Sequence, residues 1–468
     1  MKPWLADASS LADSIRNGDI HAAEALESSL DAIAASKVNA IAYLDAEGAR
    51  RQAEDIDRRI KAGEDPGLFA GVPLLVKDLE HAKGMPTTHG SVPYKDNIVD
   101  YDSIDVGRLR AAGAIIIGKS TASEFGFVAY CATKLFGVTR NPWNLERTSG
   151  ASSAGSAAAV AGGLVPTATA SDGGGSIRIP ASYCGLVGMK GTFGRIPRGP
   201  GAHNGPLTSN WGTVARSVRD AARWYDVTSG YDPRDAFSLP RIDGWERDLG
   251  SRDLRGLRVA IAPDLGGVAL VHPDVERIAR DAADALVDAT GMRRVDVDIV
   301  LPEKGSAWAS AGAPSLYNEL KEYWPACKDD LTFEIRFAME FMDRYRIWHA
   351  ASADPFRVAM NEAMAGLFGQ VDVVLCATNP VEPFNAEGPM PNHVGETKVN
   401  PFNNGALTIP CNISGYPAIS IPAGLSPNGL PIGLQAIARR HEDALLLDLA
   451  LAMERTRPWP LVAPGAPV

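Results

Sequence analysis

Two short segments rich in glycine and serine, together with one lysine upstream of them, carry groups that can cleave an acyl bond. Lys77 ends an apolar run, Ser152 lies in the sequence S-G-A-S-S-A-G-S, and Ser176 follows three glycines. A serine hydroxyl is a poor nucleophile at neutral pH and needs a base within hydrogen-bond reach. The eight histidines are scattered, and none pairs recognisably with a serine and an acid. The sequence therefore favours a lysine as the base.

Lys77 can act as a base only when it is neutral, which requires its pKa to fall from about 10.4 to roughly 7 or 8. The apolar residues before it are typical of a buried strand, and burial disfavours the charged amine. Two alternatives stay open at this point. Asp78, the next residue, could hold the lysine charged, and a lysine at a strand end more often has a structural role.

Ser152 precedes a run of small residues that predicts a helix, so it should lie in a tight turn at the helix N-terminus. The alternative is that its hydroxyl only caps that helix.

Ser176 follows Gly173, Gly174 and Gly175, whose lack of side chains allows successive backbone N–H groups to converge on one point. A tetrahedral oxyanion needs such a group of donors. A flexible turn is the alternative for the glycines. Asp172 and Arg178 flank the loop, and we expect them to pair across it and hold its shape; an ordinary surface ion pair is the alternative.

Several further segments occur together with these residues in a fixed order. They are Gly84–Thr88, Ala112–Lys119, Asn141–Trp143, Ser176–Arg178, Cys184–Gly185 and Gly429–Gln435. With the order lysine, serine, serine, they resemble the amidase signature family, whose catalytic triad is Ser-cisSer-Lys. The resemblance spans most of the chain.

The resemblance implies a role for each of the residues above. Lys77 is the general base, Ser152 the proton relay and Ser176 the nucleophile, with the backbone amides of Gly173 to Ser176 as the oxyanion hole. It also implies a cis peptide bond between Ala151 and Ser152. The implied reaction passes through an acyl-enzyme and needs no metal or organic cofactor.

Short β-branched runs alternating with helix-like segments predict an α/β fold. We expect a single large domain in which a central mixed β-sheet is flanked by helices on both faces, as in the amidase signature fold. Residues 8 to 62 predict two or three helices, the first capped by Ser9 or Ser10. The expected parts are an N-terminal helical segment (1–70), the core with the catalytic residues (71–217), a variable layer on the substrate side (218–365) and the C-terminal part of the core (366–468).

Composition limits the partners. The 468 residues carry a net charge of -10 without a dense basic cluster, which argues against nucleic acid. No uninterrupted apolar run has the length of about 18 residues that predicts a membrane span, and the N-terminus does not resemble a signal peptide. Five cysteines without a CxxC pair favour a reducing, cytoplasmic location. The sequence leaves a homodimer open.

Aromatic residues suggest the substrate. Phe333, Phe337 and Phe341 recur at helical spacing, which predicts one aromatic face, more often core than substrate pocket. The candidate pocket residues are Tyr130, Trp308, Phe337 and Phe341. They favour an aryl or alkyl amide, an anilide or a carbamate. The alternative is the glutaminase subunit of a tRNA-dependent amidotransferase.

Two other classes are disfavoured. The segment Gly113–Ser120 satisfies the Walker A pattern, but its A-I-I-I sequence is that of a buried strand and not of a phosphate-binding loop. A non-catalytic binding protein on the same fold would have no need for all three of Lys77, Ser152 and Ser176.

Overall fold

The computed structural model describes residues 5–201, 207–302 and 311–468, and the elements are numbered along these ranges. The strands are β1 Ile41–Leu44, β2 Pro73–Lys77, β3 Ile115–Ser120, β4 Ala132–Thr133, β5 Gly137–Val138, β6 Arg140–Asn141, β7 Asn144–Thr148, β8 Thr167–Asp172, β9 Val187–Lys190, β10 Asn210–Ala215, β11 Arg258–Ile261, β12 Arg293–Arg294, β13 Val373–Ala377, β14 His393–Val394, β15 Thr397–Lys398, β16 Ala418–Leu425 and β17 Pro431–Ala438.

The α-helices are α1 Ala8–Arg16, α2 Ala22–Ala35, α3 Ala46–Lys61, α4 Ile104–Ala111, α5 Ala154–Ala161, α6 Arg178–Cys184, α7 Val218–Thr228, α8 Pro273–Thr290, α9 Ala313–Leu320, α10 Phe333–Phe341, α11 Ile347–Ala351, α12 Ala353–Gln370, α13 Ile409–Ser414 and α14 Asp443–Thr456. Short 3-10 helices lie at Val92–Tyr94, Glu124–Gly126, Met342–Arg344 and Pro401–Gly405.

An 11-stranded sheet in the order β1-β3-β2-β8-β10-β9-β16-β17-β13-β11-β12 forms the centre of the molecule. β2 is parallel to β3 and to β8, and β11 is parallel to β12 and to β13, whereas the other neighbours are antiparallel. The sheet is therefore mixed, as predicted.

The apolar residues of the strands alternate between two clusters, because successive side chains of a strand point to opposite faces. In β2, Leu74 and Val76 belong to a cluster that includes residues of α7, α8 and α14, whereas Leu75 belongs to one with α2, α3 and α5. Helices thus cover both faces of the sheet. This confirms the predicted α/β fold with one central mixed sheet.

The N-terminal segment differs from the expectation in two details. Besides its three helices it contributes β1, which pairs with β3 at the edge of the sheet. Asp7, and not Ser9 or Ser10, caps α1: its side chain accepts from the N–H of Ser10. The helix begins earlier than the sequence suggested, and Ser9 is buried inside it.

The Walker-like segment is a strand, as predicted. All six residues of β3 are buried, and the Nζ atom of Lys119 donates to the carbonyl oxygen of Glu80 at 2.6 Å. A side chain held in the interior in this way does not face a bound phosphate.

Residues 313–341, called the outer layer below, form a small cluster apart from the two large ones. The cluster consists of Leu316, Leu320, Cys327, Leu331, Ile335 and Met339.

None of the helices in the described ranges has both the length and the apolar character needed to span a membrane. All five cysteines are free and buried.

Candidate active site

The carboxyl ends of two parallel strands bring the lysine and the glycine loop together. Lys77 is the last residue of β2, and Asp172 is the last residue of its neighbour β8. Parallel neighbours end at the same edge of a sheet, where open α/β sheets commonly bind ligands. The backbone N–H of Lys77 donates to the hydroxyl of Thr169 in β8 at 2.8 Å.

The Nζ atom of Lys77 lies in a fully buried polar cage. It is 2.8 Å from the hydroxyl oxygens of Ser152 and Ser153, 3.0 Å from that of Ser171 and 3.1 Å from the Ser171 carbonyl oxygen. An ammonium offers three N–H donors and a neutral amine offers two N–H donors and one lone pair, so either form can satisfy three of these four contacts. Burial lowers the pKa of Lys77 to about 7, although the charges of Glu80 and Asp172 oppose that shift.

Asp78 is not the counter-ion of Lys77, so that alternative is wrong. Its carboxylate accepts from the backbone N–H groups of Thr88 and Gly90, at 2.9 and 3.1 Å, and from the Thr88 hydroxyl. The nearest cation is Lys119, with its Nζ atom at 3.8 Å. Asp78 therefore belongs to a buried network with Thr88, Gly90 and Lys119, and not to the surroundings of the Lys77 amine.

Ser152 follows a cis peptide bond from Ala151, which confirms that prediction. Its side chain is buried. Ser153, and not Ser152, is the N-cap residue of α5, and it makes no side-chain capping bond because its hydroxyl contacts Lys77. The alternative that Ser152 serves only as a helix cap is therefore wrong.

The backbone of Phe125 and Gly126 lies over Ser152. A side-chain carbon on Gly126 would be 3.3 Å from the Ser152 hydroxyl oxygen, so glycine is the residue that leaves this hydroxyl unobstructed. Phe125 has a φ of 49°, a conformation rare for a bulky residue and one that tends to occur at functional sites.

The glycine loop holds Ser176 in a half-exposed position at the end of β8. Gly175 has a φ of 126°, and a side-chain carbon there would lie 2.3 Å from the Thr408 hydroxyl oxygen. Only glycine fits this conformation and this space. Within the described ranges the Ser176 side chain makes no hydrogen bond, and hydrogen bonds of catalytic groups often tighten only when substrate is bound.

One of the four backbone amides expected in the oxyanion hole is already used. The Gly175 N–H donates to the Asp172 carboxylate at 2.7 Å, and the Ile177 N–H does so at 3.2 Å. The inclusion of Gly175 is therefore wrong, because its donor points inward. The N–H groups of Gly173, Gly174 and Ser176 make no hydrogen bond within the part of the chain that is described.

Asp172 and Arg178 form a buried bidentate pair, with N–O distances of 3.0 and 2.9 Å. The other donors of Arg178 reach the Thr408 carbonyl, the Gln435 side chain and the Asn412 side chain at 2.9, 2.7 and 2.6 Å. Burial alone would raise the pKa of Asp172, but Arg178 and Asn412 hold it well below its ordinary value. The predicted pairing is confirmed, and the alternative of a surface ion pair is wrong.

Among the candidate pocket residues that the structure describes, Tyr130 alone lies beside α6, the helix that begins two residues after Ser176. It is buried in a cluster with Ile179, Tyr183 and Phe384, and its hydroxyl is 2.5 Å from the carboxylate of Glu334. Ile179 belongs to the first turn of α6, and its N–H donates to the Gly175 carbonyl at 2.7 Å.

The other candidate pocket residues do not join Tyr130. The side chain of Phe337 is 61% exposed and stacks on Phe333, because the opposite face of α10 is the one that packs inward, through Ile335 and Met339. The assignment of Phe337 to the pocket is wrong, and so is the expectation that this face packs in the core.

Phe341 is half-buried and packs on Tyr345 and His349 in the same part of the chain. Trp308 lies outside the described residues.

Sequence reasoning missed the serines that complete the environment of Lys77. Ser153 and Ser171 both contact its Nζ atom. Each is adjacent in sequence to a residue that was identified, Ser152 and Asp172. The signal was therefore present in the serine-rich composition of both segments, but the contacts depend on how two strands and one helix meet.

The fold and the site define an α/β protein in which a buried lysine lies among serines at the end of a central mixed sheet. The family model "Amidase" matches residues 24–447, so the chain belongs to the amidase family, in which the amidase signature enzymes are found. It is thus an enzyme that hydrolyses carbon–nitrogen bonds of amides.

Three known proteins illustrate the range of its relatives. The acylamidase of Rhodococcus erythropolis is 34% identical and covers 97% of this chain and 96% of its own. One subunit of the glutamyl-tRNA(Gln) amidotransferase of Thermosynechococcus vestitus is 35% identical and covers 87% of this chain and 88% of its own. The crystal structure of a bacterial aryl acylamidase is similar with a TM-score of 0.92 and 28% identity, over 98% of this chain and 97% of the other.

Proposed function

We propose that the protein is a free-standing serine amidohydrolase that cleaves aryl or alkyl amides, anilides or carbamates through an acyl-enzyme on Ser176. The observation that carries the proposal is the 2.8 Å contact between Ser152 and a buried Lys77 whose pKa is lowered to about 7. A base with this pKa is largely neutral at physiological pH and is still basic enough to accept a proton.

Acylation begins when the Ser176 hydroxyl oxygen attacks the substrate carbonyl carbon. The hydroxyl proton passes to Ser152, whose own proton passes to the lone pair of Lys77. Negative charge then develops on the former carbonyl oxygen, where the N–H groups of Gly173, Gly174 and Ser176 stabilise it.

Collapse of this intermediate breaks the carbon–nitrogen bond. Lys77 returns its proton through Ser152 to the departing nitrogen, which leaves as a neutral amine. Water then attacks the ester on Ser176, with Lys77 again taking the proton, and the acid is released. A carbamate follows the same route.

Two observations support an apolar substrate. Tyr130, Ile179 and Phe384 form an apolar cluster next to the first turn of α6, two to three residues after Ser176. The Rhodococcus relative and the similar crystal structure are both named for acylamidase activity.

The second candidate function is that of a glutaminase subunit of a tRNA-dependent amidotransferase. It is favoured by the related amidotransferase subunits, which are as similar to this chain as the acylamidase is. Such a subunit would use the same serines and lysine to release ammonia from glutamine.

Release of 4-nitroaniline from acyl 4-nitroanilides of increasing acyl size, by the purified chain alone, tests the proposal. Ser176→Ala removes the nucleophile, so turnover should fall on the order of 10⁴-fold or more. The matched control is Ser182→Ala, which removes a buried serine on α6 that does not contact Lys77 and should leave turnover within a few-fold.

The outcomes separate the candidates. Turnover that survives in Ser176→Ala would refute the acyl-enzyme on this residue. Hydrolysis of glutamine with no activity on any nitroanilide would instead favour the glutaminase.

A further inference from the structure

A buried glutamate, Glu80, lies three residues after Lys77. The chain turns directly after β2, and the Glu80 N–H donates to the Lys77 carbonyl at 2.9 Å. The Glu80 carbonyl in turn accepts from the Nζ atom of Lys119 at 2.6 Å. Its side chain is 1% exposed. The backbone therefore fixes Glu80 in the interior between two buried lysines.

The Glu80 carboxyl group faces the hydroxyls of Thr169 and Ser171, although neither carboxyl oxygen has a partner in hydrogen-bond geometry among the described residues. The same two residues contact Lys77: Thr169 accepts from its backbone N–H at 2.8 Å, and the Ser171 hydroxyl is 3.0 Å from its Nζ atom. The Ser171 hydroxyl thus lies close to both the carboxyl group and the amine.

The charges around this site come from several elements. Burial raises the pKa of Glu80, whereas the charges of Lys77 and Lys119 act in the opposite direction and favour its ionised form; the carboxyl group also lies close enough to Asp105, in α4, for the two charges to interact. Asp105 is also fully buried, and burial followed by the charge of Glu80 raises its pKa well above the ordinary value.

The remaining groups that act on Lys77 are Asp172 and Cys131. Asp172 stays ionised because it is paired with Arg178. Burial raises the pKa of the Cys131 thiol to about 11, so it is neutral near pH 7. Among the groups whose charge opposes the loss of the proton from Lys77, Glu80 has the largest effect.

We propose that Glu80, as a carboxylate between the buried Lys77 and Lys119, is a positioning residue for Lys77 that keeps the amine basic enough to accept a proton. Burial favours the neutral amine, but burial without a nearby anion would also weaken it as a base. A nearby carboxylate offsets part of that loss. The inference rests on the proposed role of Lys77 as general base.

The direction of the expected effect follows from the charge. Only neutral Lys77 is active, so activity rises with pH through a value near 7. Glu80→Gln removes an anion that favours the protonated amine, and the rising limb should move to lower pH by about one unit. The plateau at high pH should fall several-fold, because the amine becomes a weaker base.

The experiment measures the rate constant for sulfonylation of Ser176 by an aryl sulfonyl fluoride between about pH 5 and pH 9. This reaction needs the same proton transfer but no knowledge of the natural substrate. Asp105→Asn is the matched control, since it replaces another buried carboxyl group whose charge is not among those that act on Lys77. Its profile should coincide with that of the wild type.

Glu80→Asp keeps the charge but moves it away from Ser171, and its profile should lie between those of wild type and Glu80→Gln. Thermal denaturation establishes that each variant is folded. If Glu80→Gln does not fold, the Glu80→Asp profile decides: a wild-type limb and plateau would overturn the proposal.

The two proposals fail in different ways. If Lys77→Met leaves the sulfonylation rate and its pH profile unchanged, Lys77 is not the base and the proposed function fails. If Lys77→Met removes the reaction while Glu80→Gln keeps the wild-type limb and plateau, only the role of Glu80 is wrong. A limb that moves equally in Asp105→Asn would also overturn that role.

Discussion

The carboxyl ends of β2 and β8, with the glycine loop that carries Ser176, are called the sheet edge below. This region and the outer layer are held in place in different ways. At the sheet edge, buried Arg178 uses all of its N–H donors on acceptors from four different residues. The outer layer packs on six buried residues of its own and meets the core through individual side-chain contacts. These contacts include Tyr94 to Glu319, Glu124 to Thr332 and Tyr130 to Glu334, and Tyr94 and Phe125 also pack against the apolar cluster of the outer layer.

The difference indicates which part of the enzyme can vary. Changing one group in the buried network leaves several other polar groups without partners, which is costly in the interior. Changing a contact of the outer layer affects one hydrogen bond at a half-buried position. We therefore expect substitutions at the sheet edge to alter turnover and substitutions in the outer layer to alter substrate preference.

After Ser176→Ala, the largest effect on rate is expected at the sheet edge from Lys77→Met. Removing the base should lower kcat/KM by about 10³-fold or more at neutral pH. The control is Lys119→Met, which removes another fully buried lysine and leaves Asp78 without its cation. Lys119→Met should lower the free energy of unfolding yet keep most of the turnover of the folded enzyme, measured by active-site titration. Equal losses of turnover would break the distinction between the two lysines.

The largest effect on stability is expected from Arg178→Met, which leaves Asp172 buried without its cation. The free energy of unfolding should fall by about 3–5 kcal/mol, and turnover should fall with it as the glycine loop loses its brace. The more exposed pair of Arg258 and Asp372 supplies the control. Arg258→Met should leave urea denaturation close to wild type. A wild-type denaturation curve for Arg178→Met would contradict the account of the sheet edge.

The smallest effects are expected in the outer layer and at its contacts with the core. Tyr130→Phe removes the hydrogen bond to Glu334 and should cost about 1 kcal/mol of stability. It should raise KM for large acyl anilides a few-fold while leaving kcat unchanged, because the outer layer bears on binding. Phe337→Ser alters a solvent-facing residue of the same layer and should change neither KM nor stability measurably. A fall in kcat for Tyr130→Phe would contradict the expectation that the outer layer affects binding and not turnover.

Much of the sheet edge was predictable because its signals are local. The apolar run before Lys77, the three glycines before Ser176 and the small residues after Ser152 each appear within a few positions. The strands β2 and β3 and the cis peptide bond lie where they were expected.

What the sequence did not reveal depends on side-chain direction. The helical spacing of Phe333 and Phe337 predicted a shared face, and they do share one, but spacing does not say which face of α10 packs inward. Likewise, the glycine run predicted a group of amides, but only the position of the Asp172 carboxylate shows that Gly175 donates to it. Both outcomes arise from contacts between distant parts of the chain.

The partners of Arg178 also have a consequence for the order in which the enzyme is made. Its acceptors at Thr408, Asn412 and Gln435 lie 230, 234 and 257 residues further along the chain. A growing polypeptide that already contains Lys77, Ser152 and Ser176 still lacks the groups that brace the nucleophile loop. Contacts this distant in sequence form late. We therefore expect the nascent chain to remain inactive on the ribosome until residues 408–435 have been synthesised.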